Sequence, residues 1–301
     1  MLRGIDSLTA MDKRIPYDHV TAILGPTAVG KTDYALDLAR QTGAEIISAD
    51  AFQIYRGMDI GTAKVSAEIR AKIPHHLIDI QNPAQPYSAA QFVRDVDRIL
   101  VDIRGRGKPA ILCGGTAFYL YAWAYQFDFS SPQTLTIPPD WKALSNEALW
   151  TRLHDVDRDL AAQIPVANRR RVERAMAQFL LSGEKPSTMR RKSQTPRPGL
   201  TVVGLDAPRE VVYDRINARV ESMLDRGWMA EVETLLKQGY GPADPGFQAI
   251  GYRDIVTYLH DGMGREDLVK SIQAQTRHFA KRQWTWYQKF HANWIQISPS
   301  S

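Results

Sequence analysis

The stretch that decides the fold reads GPTAVGKT, from Gly25 to Thr32. The apolar run 20–24 precedes it and predicts a buried strand, whereas residues 33–40 follow it with helical spacing. Glycine lets the backbone approach an anion closely, and the free N–H groups at the start of a helix then point at that anion. The order of strand, glycine-rich loop and helix therefore predicts a phosphate-binding loop that holds a di- or triphosphate.

Every residue of this loop is assigned to the phosphate site. The predicted diphosphate-binding residues are Gly25, Pro26, Thr27, Ala28, Val29, Gly30, Lys31 and Thr32. Lys31 adds a mobile positive charge, and the Thr32 hydroxyl is placed to hold Mg²⁺. We therefore predict Thr32 as a metal ligand and Mg²⁺ as the cofactor. The loop does not indicate what happens to the phosphate.

Apolar runs and helical spacing alternate up to about residue 126, which predicts an α/β fold. Runs 43–50, 74–80 and 109–113 are predicted strands, and 88–103 is a predicted helix. A later apolar run, 201–205, is expected to return to the same sheet. The predicted fold is a P-loop NTPase-like parallel sheet core with a mainly helical insertion domain and a helical C-terminal part.

Changes in composition mark the predicted domain boundaries. Residues 1–18 are predicted as a flexible N-terminal tail, 19–126 as the first part of the core, 127–198 as the helical insertion, and 199–301 as the return strand and C-terminal helices. Within the insertion, helical patterns cover 146–164 and 168–181.

Polar side chains follow two predicted strands at the edge where the phosphate would bind. Asp50 ends one strand, and Thr116 follows Gly114 and Gly115 after another. The carboxyl ends of parallel strands converge on the ligand crevice, so both side chains are expected there. Asp50 is a candidate general base, although an aspartate that caps a turn or orients Mg²⁺ through water would stand at the same place. Both interpretations stay open on the residues alone.

Basic residues concentrate in two segments, although the net charge of +5 is moderate. Arg170, Arg171 and Arg174 can share one face of a predicted helix. The last predicted helix, 266–290, interleaves Arg277 and Lys281 with aromatic residues. Both segments suit contacts with the phosphates and unstacked bases of RNA, but a solvated helix surface shows the same pattern.

The composition excludes several classes of protein. The chain of 301 residues has one cysteine, so no intramolecular disulfide can form and a cysteine-based zinc site is not expected. No apolar segment approaches the length that spans a bilayer, and the N-terminus lacks a long apolar signal region. We therefore expect a cytoplasmic protein with no membrane partner.

Six segments together resemble the tRNA dimethylallyltransferase (tRNA isopentenyltransferase) family, bacterial type. They are GPTAVGKT at 25–32, DAFQIYRGMDIGTAK at 50–64, HHLIDI at 75–80, GGTAFYL at 114–120, IGYRD at 250–254 and AKRQWTWYQK at 280–289. The resemblance implies transfer of a dimethylallyl group from dimethylallyl diphosphate to N6 of the adenosine at position 37 of tRNAs that read codons beginning with U. It implies the tRNA anticodon stem-loop and dimethylallyl diphosphate as partners of a monomeric enzyme.

The resemblance also implies roles for individual residues. Asp50 matches the family's catalytic base and Thr116 a positioning hydroxyl, while Lys31 and Arg219 match catalytic cations that stabilise the diphosphate. The implied tRNA contacts are Asp50, Ala51, Phe52, Gln53, Arg170, Arg171, Arg174, Gln248, Gly251, Tyr252, Arg253, Arg277, Lys281, Arg282 and Gln283. Ala51 stands where the family usually has a serine, and Arg170 where glutamine is common.

Three alternatives share parts of this pattern. A small-molecule phosphotransferase would have the same loop but would consume ATP and would not need a basic, aromatic C-terminal helix. An isopentenyltransferase for free adenine nucleotides would not need the two basic segments. A non-catalytic RNA-binding ATPase would keep the basic surface and would tolerate loss of the Asp50 carboxylate.

Overall fold

In the computed structural model, residues 20–127, 129, 137–189 and 195–297 are described. The chain forms two compact units, Met1–Ala124 with Arg197–Ser301, and Tyr125–Pro196. The second unit is thus an insertion into the first, between the fourth and fifth strands of its sheet. The predicted N-terminal tail, 1–18, lies outside the described residues, as does most of the segment 128–136.

The described residues of the first unit form a six-stranded parallel sheet with helices around it, so the predicted α/β class is confirmed. Its strands are β1 (Val20–Leu24), β2 (Glu45–Ser48), β3 (His75–His76), β4 (Ala110–Cys113), β5 (Leu200–Asp206) and β6 (Asn293–Gln296). Their order across the sheet is β3-β2-β4-β1-β5-β6, and every neighbouring pair is parallel. The fifth strand returns beside β1, as predicted, with Val20 opposite Leu200 and Leu24 opposite Gly204.

Helices connect these strands and extend beyond them. The first unit carries α1 (Lys31–Thr42), α2 (Ala67–Lys72), α3 (Ala89–Gly105) and α4 (Ala117–Ala124), followed after the insertion by α9 (Arg209–Asp225), α10 (Trp228–Lys237), α11 (Tyr252–Asp261) and α12 (Arg265–Tyr287). The insertion carries α5 (Asn146–Val156), α6 (Arg158–Ala161), α7 (Arg169–Ser182) and α8 (Pro186–Met189). In the part of the chain that the structure describes, no helix is long and apolar enough to cross a bilayer.

Two predicted elements differ from the observed ones. The helix expected over 146–164 is interrupted after Val156, because the Asp157 carboxylate accepts a hydrogen bond from the N–H of Leu160, 3.1 Å away, and so starts a new helix. The strand expected over 74–80 is only two residues long. Its extended conformation ends because Leu77 and Asp79 adopt positive φ angles, 60° and 58°.

Apolar clusters fix the edge of the sheet where the strands end. One cluster joins β1 and β4 to α1 and α9 through buried residues such as Ile23, Ile111 and Ile216. A second cluster joins the segment after β2 to helices α9–α12 around Trp228 and Tyr252. The loops that follow β1, β2 and β4 therefore meet a wall of helices, and this meeting place is where the candidate site lies.

Candidate active site

The phosphate loop lies between β1 and α1, as the sequence predicted. Gly25 has φ 146°, and a Cβ atom there would lie 2.5 Å from the carbonyl oxygen of Leu205, so the backbone passes too close to β5 for any side chain. Gly30 has φ 106° at the N-cap of α1. The first N–H groups of this helix therefore face the loop and create an anion-binding site.

Lys31 is folded back onto this loop. Its ammonium donates hydrogen bonds to the carbonyl oxygens of Gly25 and Pro26, each 2.7 Å away. The pKa of Lys31 is lowered to about 8, chiefly by burial; the nearby Arg219 guanidinium acts in the same direction, and Cys113 and Asp50 oppose the shift. The lysine is thus a cation whose charge is costly to keep without an anionic partner.

Arg219 brings a second cation from α9. The residue is half-buried, and burial lowers the pKa of its guanidinium, with the positive charge of Arg226 acting in the same direction. The carboxylates of Asp50 and Asp33 oppose that shift. Two cations from different elements therefore influence one another beside Asp50, and a strong anion between them would relieve their repulsion.

Asp50 follows β2, and all its hydrogen-bond partners are backbone donors. Oδ1 accepts from the N–H of Phe52, 2.9 Å away, and of Gln53, 3.3 Å away. Oδ2 accepts from the N–H of Gly115, 3.3 Å away. The turn-capping interpretation of Asp50 is therefore correct, but it does not compete with a chemical role, because each carboxylate oxygen has two acceptor sites.

Thr116 ties the loop after β4 to the loop after β2. Its hydroxyl accepts a hydrogen bond from the N–H of Ala51, 2.9 Å away, and its own N–H donates to the carbonyl of Ala49, 3.0 Å away. Gly114 allows this contact, because a Cβ atom there would collide with the backbone of Ala49. The two polar residues that the sequence placed at this edge are thus held by adjoining loops.

A cavity of about 480 Å³ opens beside these residues. Its polar side includes Thr27, Asp50, Thr116, Arg219 and Arg282. Its apolar lining includes Ile216, Val220, Met223, Trp228, Ile250 and Ile272, all of which except Ile216 belong to or pack against the second cluster. The cavity therefore brings Thr27 of the phosphate loop, the Asp50 carboxylate, two arginines and an apolar surface into one space.

The segment 59–61, which leads into one side of the cavity, is held by Glu231, a residue that sequence reasoning missed. The Glu231 carboxylate accepts hydrogen bonds from the N–H groups of Asp59, Ile60 and Gly61 at 2.7, 2.6 and 3.2 Å. It also accepts one from the Tyr252 hydroxyl, 2.7 Å away. A carboxylate in the first turn of α10 thus fixes the backbone that precedes the cavity-lining residues 61–63.

Trp228 forms part of the cavity wall and is also a residue that the sequence did not single out. The indole is 1% exposed and lies between Gly61 and Gly251. A Cβ atom at either glycine would collide with the indole ring. These glycines belong to the segments 50–64 and 250–254. They are 190 positions apart in the sequence, and the missing side chain at each leaves the volume that the indole fills.

Comparisons with known proteins agree with this geometry. Residues 53–290 match the family described as IPP transferase, and residues 18–77 match the family described as isopentenyl transferase. The chain belongs to the IPP transferase family. The tRNA dimethylallyltransferase of Macrococcus caseolyticus is 40% identical over 270 residues, which are 88% of this chain and 86% of that protein. That of Heliobacterium modesticaldum is 41% identical over 277 residues, 89% and 86% of the two chains.

Solved structures give the same result. The tRNA isopentenylpyrophosphate transferase of Bacillus halodurans superposes with a TM-score of 0.69 at 35% identity, over 93% of this chain and 90% of that one. A eukaryotic dimethylallyltransferase acting on tRNA superposes with a TM-score of 0.81 at 26% identity, over 92% and 73%. The P-loop-like parallel sheet with an insertion is thus the fold of structurally characterised family members.

In this member of the family, most of the residues predicted to contact tRNA are accessible. Arg170, Arg171 and Arg174 are exposed on α7, whereas their neighbour Arg169 is held by Glu173, 2.8 Å away, and by main-chain carbonyls. Exposed side chains elsewhere are Gln248, Arg253, Lys281 and Arg282. Ala51, Phe52 and Arg277 are half-buried, and Arg277 donates to the Asn217 side chain, 2.6 Å away.

Three of the residues predicted to contact tRNA are buried, and a fourth, Gln53, is half-buried and bonded within the protein. Gln283 is 2% exposed and Tyr252 is 0% exposed. Gly251 is buried against Trp228. The Gln53 side chain accepts from Ser48 at 2.8 Å and donates to the carbonyl of Thr62 at 3.1 Å. The contacts of these residues with the rest of the protein support the walls of the site.

Proposed function

We propose that this protein transfers the dimethylallyl group of dimethylallyl diphosphate to N6 of the adenosine at position 37 of tRNAs that read codons beginning with U. One observation carries the proposal: a single cavity is lined by Thr27 of the phosphate loop, by the cation Arg219, by the Asp50 carboxylate and by a large apolar surface. An allylic diphosphate has matching parts, an anionic leaving group, a reacting carbon and an apolar tail. The names of the similar proteins support the same reaction.

The leaving group is stabilised by the phosphate loop and two cations. Breaking the allylic C–O bond builds negative charge on the diphosphate, and N–H groups at the start of α1 are already directed at it. Lys31 exchanges its bonds with the Gly25 and Pro26 carbonyls for bonds with the diphosphate. Arg219 approaches the same anion from α9. The backbone N–H groups are in place before the reaction and so need little rearrangement.

The residues present fit Mg²⁺, the expected cofactor. Thr32 is exposed at the start of α1, and its hydroxyl would be the protein ligand. Across the described residues, no group of three His, Cys, Asp or Glu side chains could form a metal cage. Mg²⁺ keeps several waters and takes other ligands from substrate phosphates, so few protein ligands are needed. When bound, the ion would neutralise part of the diphosphate charge.

Asp50 receives the proton that the reaction releases. The exocyclic amine of adenine attacks the allylic carbon, a C–N bond forms, the C–O bond breaks, and the amine must lose one proton. Among the described residues, Oδ1 accepts two N–H hydrogen bonds and Oδ2 accepts one, so Oδ2 offers an acceptor site for the proton. Thr116 holds the backbone at Ala51 and so keeps this carboxylate beside the cavity. The adenine must leave the anticodon-loop stack to enter the cavity.

The tRNA anticodon stem-loop would be held by basic side chains of one monomer. Arg282 lies at the cavity and contacts the ring of Phe279, with 5.8 Å from its Cζ to the ring centroid, and Lys281 is exposed beside it. The exposed arginines of α7 provide a second cationic surface for phosphates. All these residues belong to one chain, and a tRNA substrate implies work in the cytoplasm.

The test uses the purified protein with Mg²⁺, labelled dimethylallyl diphosphate and unmodified tRNA that carries three adenosines at positions 36 to 38. ATP and AMP serve as parallel substrates. Label should enter the tRNA and should be lost when the central adenosine is changed to guanosine. Label in AMP alone would indicate a free-nucleotide isopentenyltransferase, and consumption of ATP without prenyl transfer would indicate a phosphotransferase or an ATPase. Either result would overturn the proposal.

A further inference from the structure

Gln283 lies between the two loops that the reaction needs and is bonded to both. Its side-chain oxygen Oε1 accepts a hydrogen bond from the N–H of Thr27 in the phosphate loop, 2.7 Å away. Its Nε2 donates to the carbonyl oxygen of Gly115, 2.8 Å away. Thr27 and Gly115 follow different strands, β1 and β4, and Gln283 comes from α12. One side chain thus joins three elements.

The connection continues to the Asp50 carboxylate. The peptide of Gly115 accepts from Gln283 through its carbonyl, and the N–H of the same residue donates to Asp50 Oδ2 at 3.3 Å. A Cβ atom at Gly115 would lie 2.9 Å from Asp50 Oδ2 and 3.5 Å from Gln283 Nε2. The Asp50 carboxylate and the Gln283 amide therefore both lie close to Gly115, and a side chain at position 115 would collide with the carboxylate.

The helix that carries Gln283 also faces the cavity. Phe279, Arg282 and Trp286 line the cavity from α12, at spacings of four, one and three residues from Gln283. Ala280 and Tyr287, both 0% exposed, anchor the same helix in the interior. The position of Gln283 is thus set by a helix that is packed on one side and open to the substrate on the other.

We propose that Gln283 is a positioning residue that holds the diphosphate loop and the Asp50 carboxylate at a fixed separation. This inference rests on the proposed function, because it assigns the two tied loops to the leaving group and to the base. The distance between the allylic carbon and the attacking nitrogen depends on both loops at once. A residue at this place must accept from one backbone and donate to another, and an amide does both while uncharged.

The first test replaces Gln283 with methionine, which has similar length and no hydrogen-bond groups of comparable strength. Q283M should lower kcat at saturating tRNA and dimethylallyl diphosphate by about tenfold to a hundredfold, the loss expected for reacting groups displaced by about 1 Å. The dissociation constant for tRNA should stay within about twofold, since the Gln283 side chain is 2% exposed and both ends of its amide are bonded to the protein backbone. Q41M, at an exposed glutamine in the last turn of α1, is the matched control.

The second test uses Q283E and its pH dependence. A protonated glutamic acid can accept from Thr27 and donate to Gly115, as glutamine does, whereas the ionised form cannot donate. Burial and the nearby Asp50 carboxylate favour the protonated form, and the cations Lys31 and Arg219 near Asp50 oppose this. The ratio of the kcat of Q283E to that of the wild type should therefore rise about fivefold or more from pH 8 to pH 6. Q41E should show a constant ratio.

The outcomes separate this inference from the proposed function. A wild-type protein that transfers no label to tRNA would overturn both. If the wild type is active and Q283M weakens tRNA binding while kcat stays the same, Gln283 is an RNA contact and the inference is wrong. It is equally wrong if the lost activity of Q283M equals the fraction that thermal melting shows to be unfolded, or if the Q283E ratio does not change with pH.

Discussion

The Asp50 carboxylate faces the N–H of Gly115 from the end of a neighbouring strand, with 3.3 Å between Oδ2 and the nitrogen. Its other oxygen accepts from the N–H groups of Phe52 and Gln53. The side chain that would take the proton is therefore also the anchor of its own loop. A substitution at this position combines a chemical and a structural change, and variants must be chosen to separate the two.

Serine at position 50 separates the two effects. Asp50→Ser keeps a short oxygen that can accept from a nearby N–H but removes the carboxylate, so turnover should fall by about two to four orders of magnitude. The affinity for tRNA, measured by filter binding, should change by less than about threefold. Asp50→Ala should add a loss of thermal stability to the same loss of turnover. Turnover of the serine variant within a few-fold of the wild type would exclude Asp50 as the base.

The lowered pKa of Lys31 predicts a pH dependence of substrate binding. The free protein loses the Lys31 proton above pH about 8, instead of near the ordinary value of 10.5, while the bound diphosphate favours the charged form. Affinity for dimethylallyl diphosphate should therefore fall as pH rises above about 8, by at most about tenfold per pH unit, and binding at pH 9 should take up a proton.

Calorimetry in two buffers with different ionisation enthalpies measures that uptake. Lys31→Arg is the control, because a guanidinium keeps its proton throughout this range. Its affinity should be independent of pH between 7.5 and 9.5, whatever its absolute value. An equal slope for the wild type and the arginine variant would show that another group titrates.

Glu231 should matter for both stability and substrate affinity. Glu231→Ala leaves the N–H groups of residues 59–61 without their carboxylate, which should cost about 1 to 3 kcal/mol of unfolding free energy, measured by denaturant titration. The loop beside the cavity is then less well fixed, so KM for tRNA should rise several-fold. Tyr252→Phe removes only one of the four hydrogen bonds and should cost less. If the alanine variant and the wild type had the same unfolding free energy, this role of Glu231 would be contradicted.

The arginines of α7 offer a matched comparison. Replacing Arg170, Arg171 and Arg174 by glutamine should weaken tRNA binding and lower the slope of log affinity against log salt by about two to three, close to one counterion for each contact. Arg169→Gln should destabilise the protein without changing that slope, because Arg169 bonds Glu173 and the carbonyl of Leu144 inside the unit. If the triple variant and the wild type gave the same slope, these arginines would not contact tRNA phosphates and would be ordinary solvated surface residues.

The fold could be predicted because its signals are local. The loop 25–32, the apolar runs and their helical spacing depend on neighbouring residues, and five of the strands lie where the sequence predicted. The sixth strand, β6, was not predicted, because residues 199–301 were expected to add only the return strand and helices. The other errors have local causes. The helix over 146–164 is divided at Asp157, whose carboxylate caps the second part, and the strand over 74–80 is shortened by positive φ angles at Leu77 and Asp79.

The site was predicted less completely, because part of it depends on distant contacts. Asp50 and Thr116 could be placed by the rule that parallel strands end at one edge, and both line the cavity. Gln283 bonds a residue 256 positions away, and Glu231 bonds one 172 positions away. No periodicity connects such pairs. A polar residue within a basic helix suggests RNA binding, and only the folded chain shows that Gln283 points inward.

The contact of Trp228 with Gly61 and Gly251 also limits how this protein can change over generations. The three residues come from three separate segments, yet they share one volume. A side chain at either glycine needs a smaller residue at 228, and a smaller residue at 228 alone leaves a void in the wall beside the substrate. Each single step is therefore harmful, whereas a side chain at Gly61 combined with a smaller residue at 228 is tolerated better; at Gly251 the φ of 90° disfavours a side chain in either case. We expect positions 61 and 228 to vary together among relatives, and a new substrate preference that arises here to require more than one mutation.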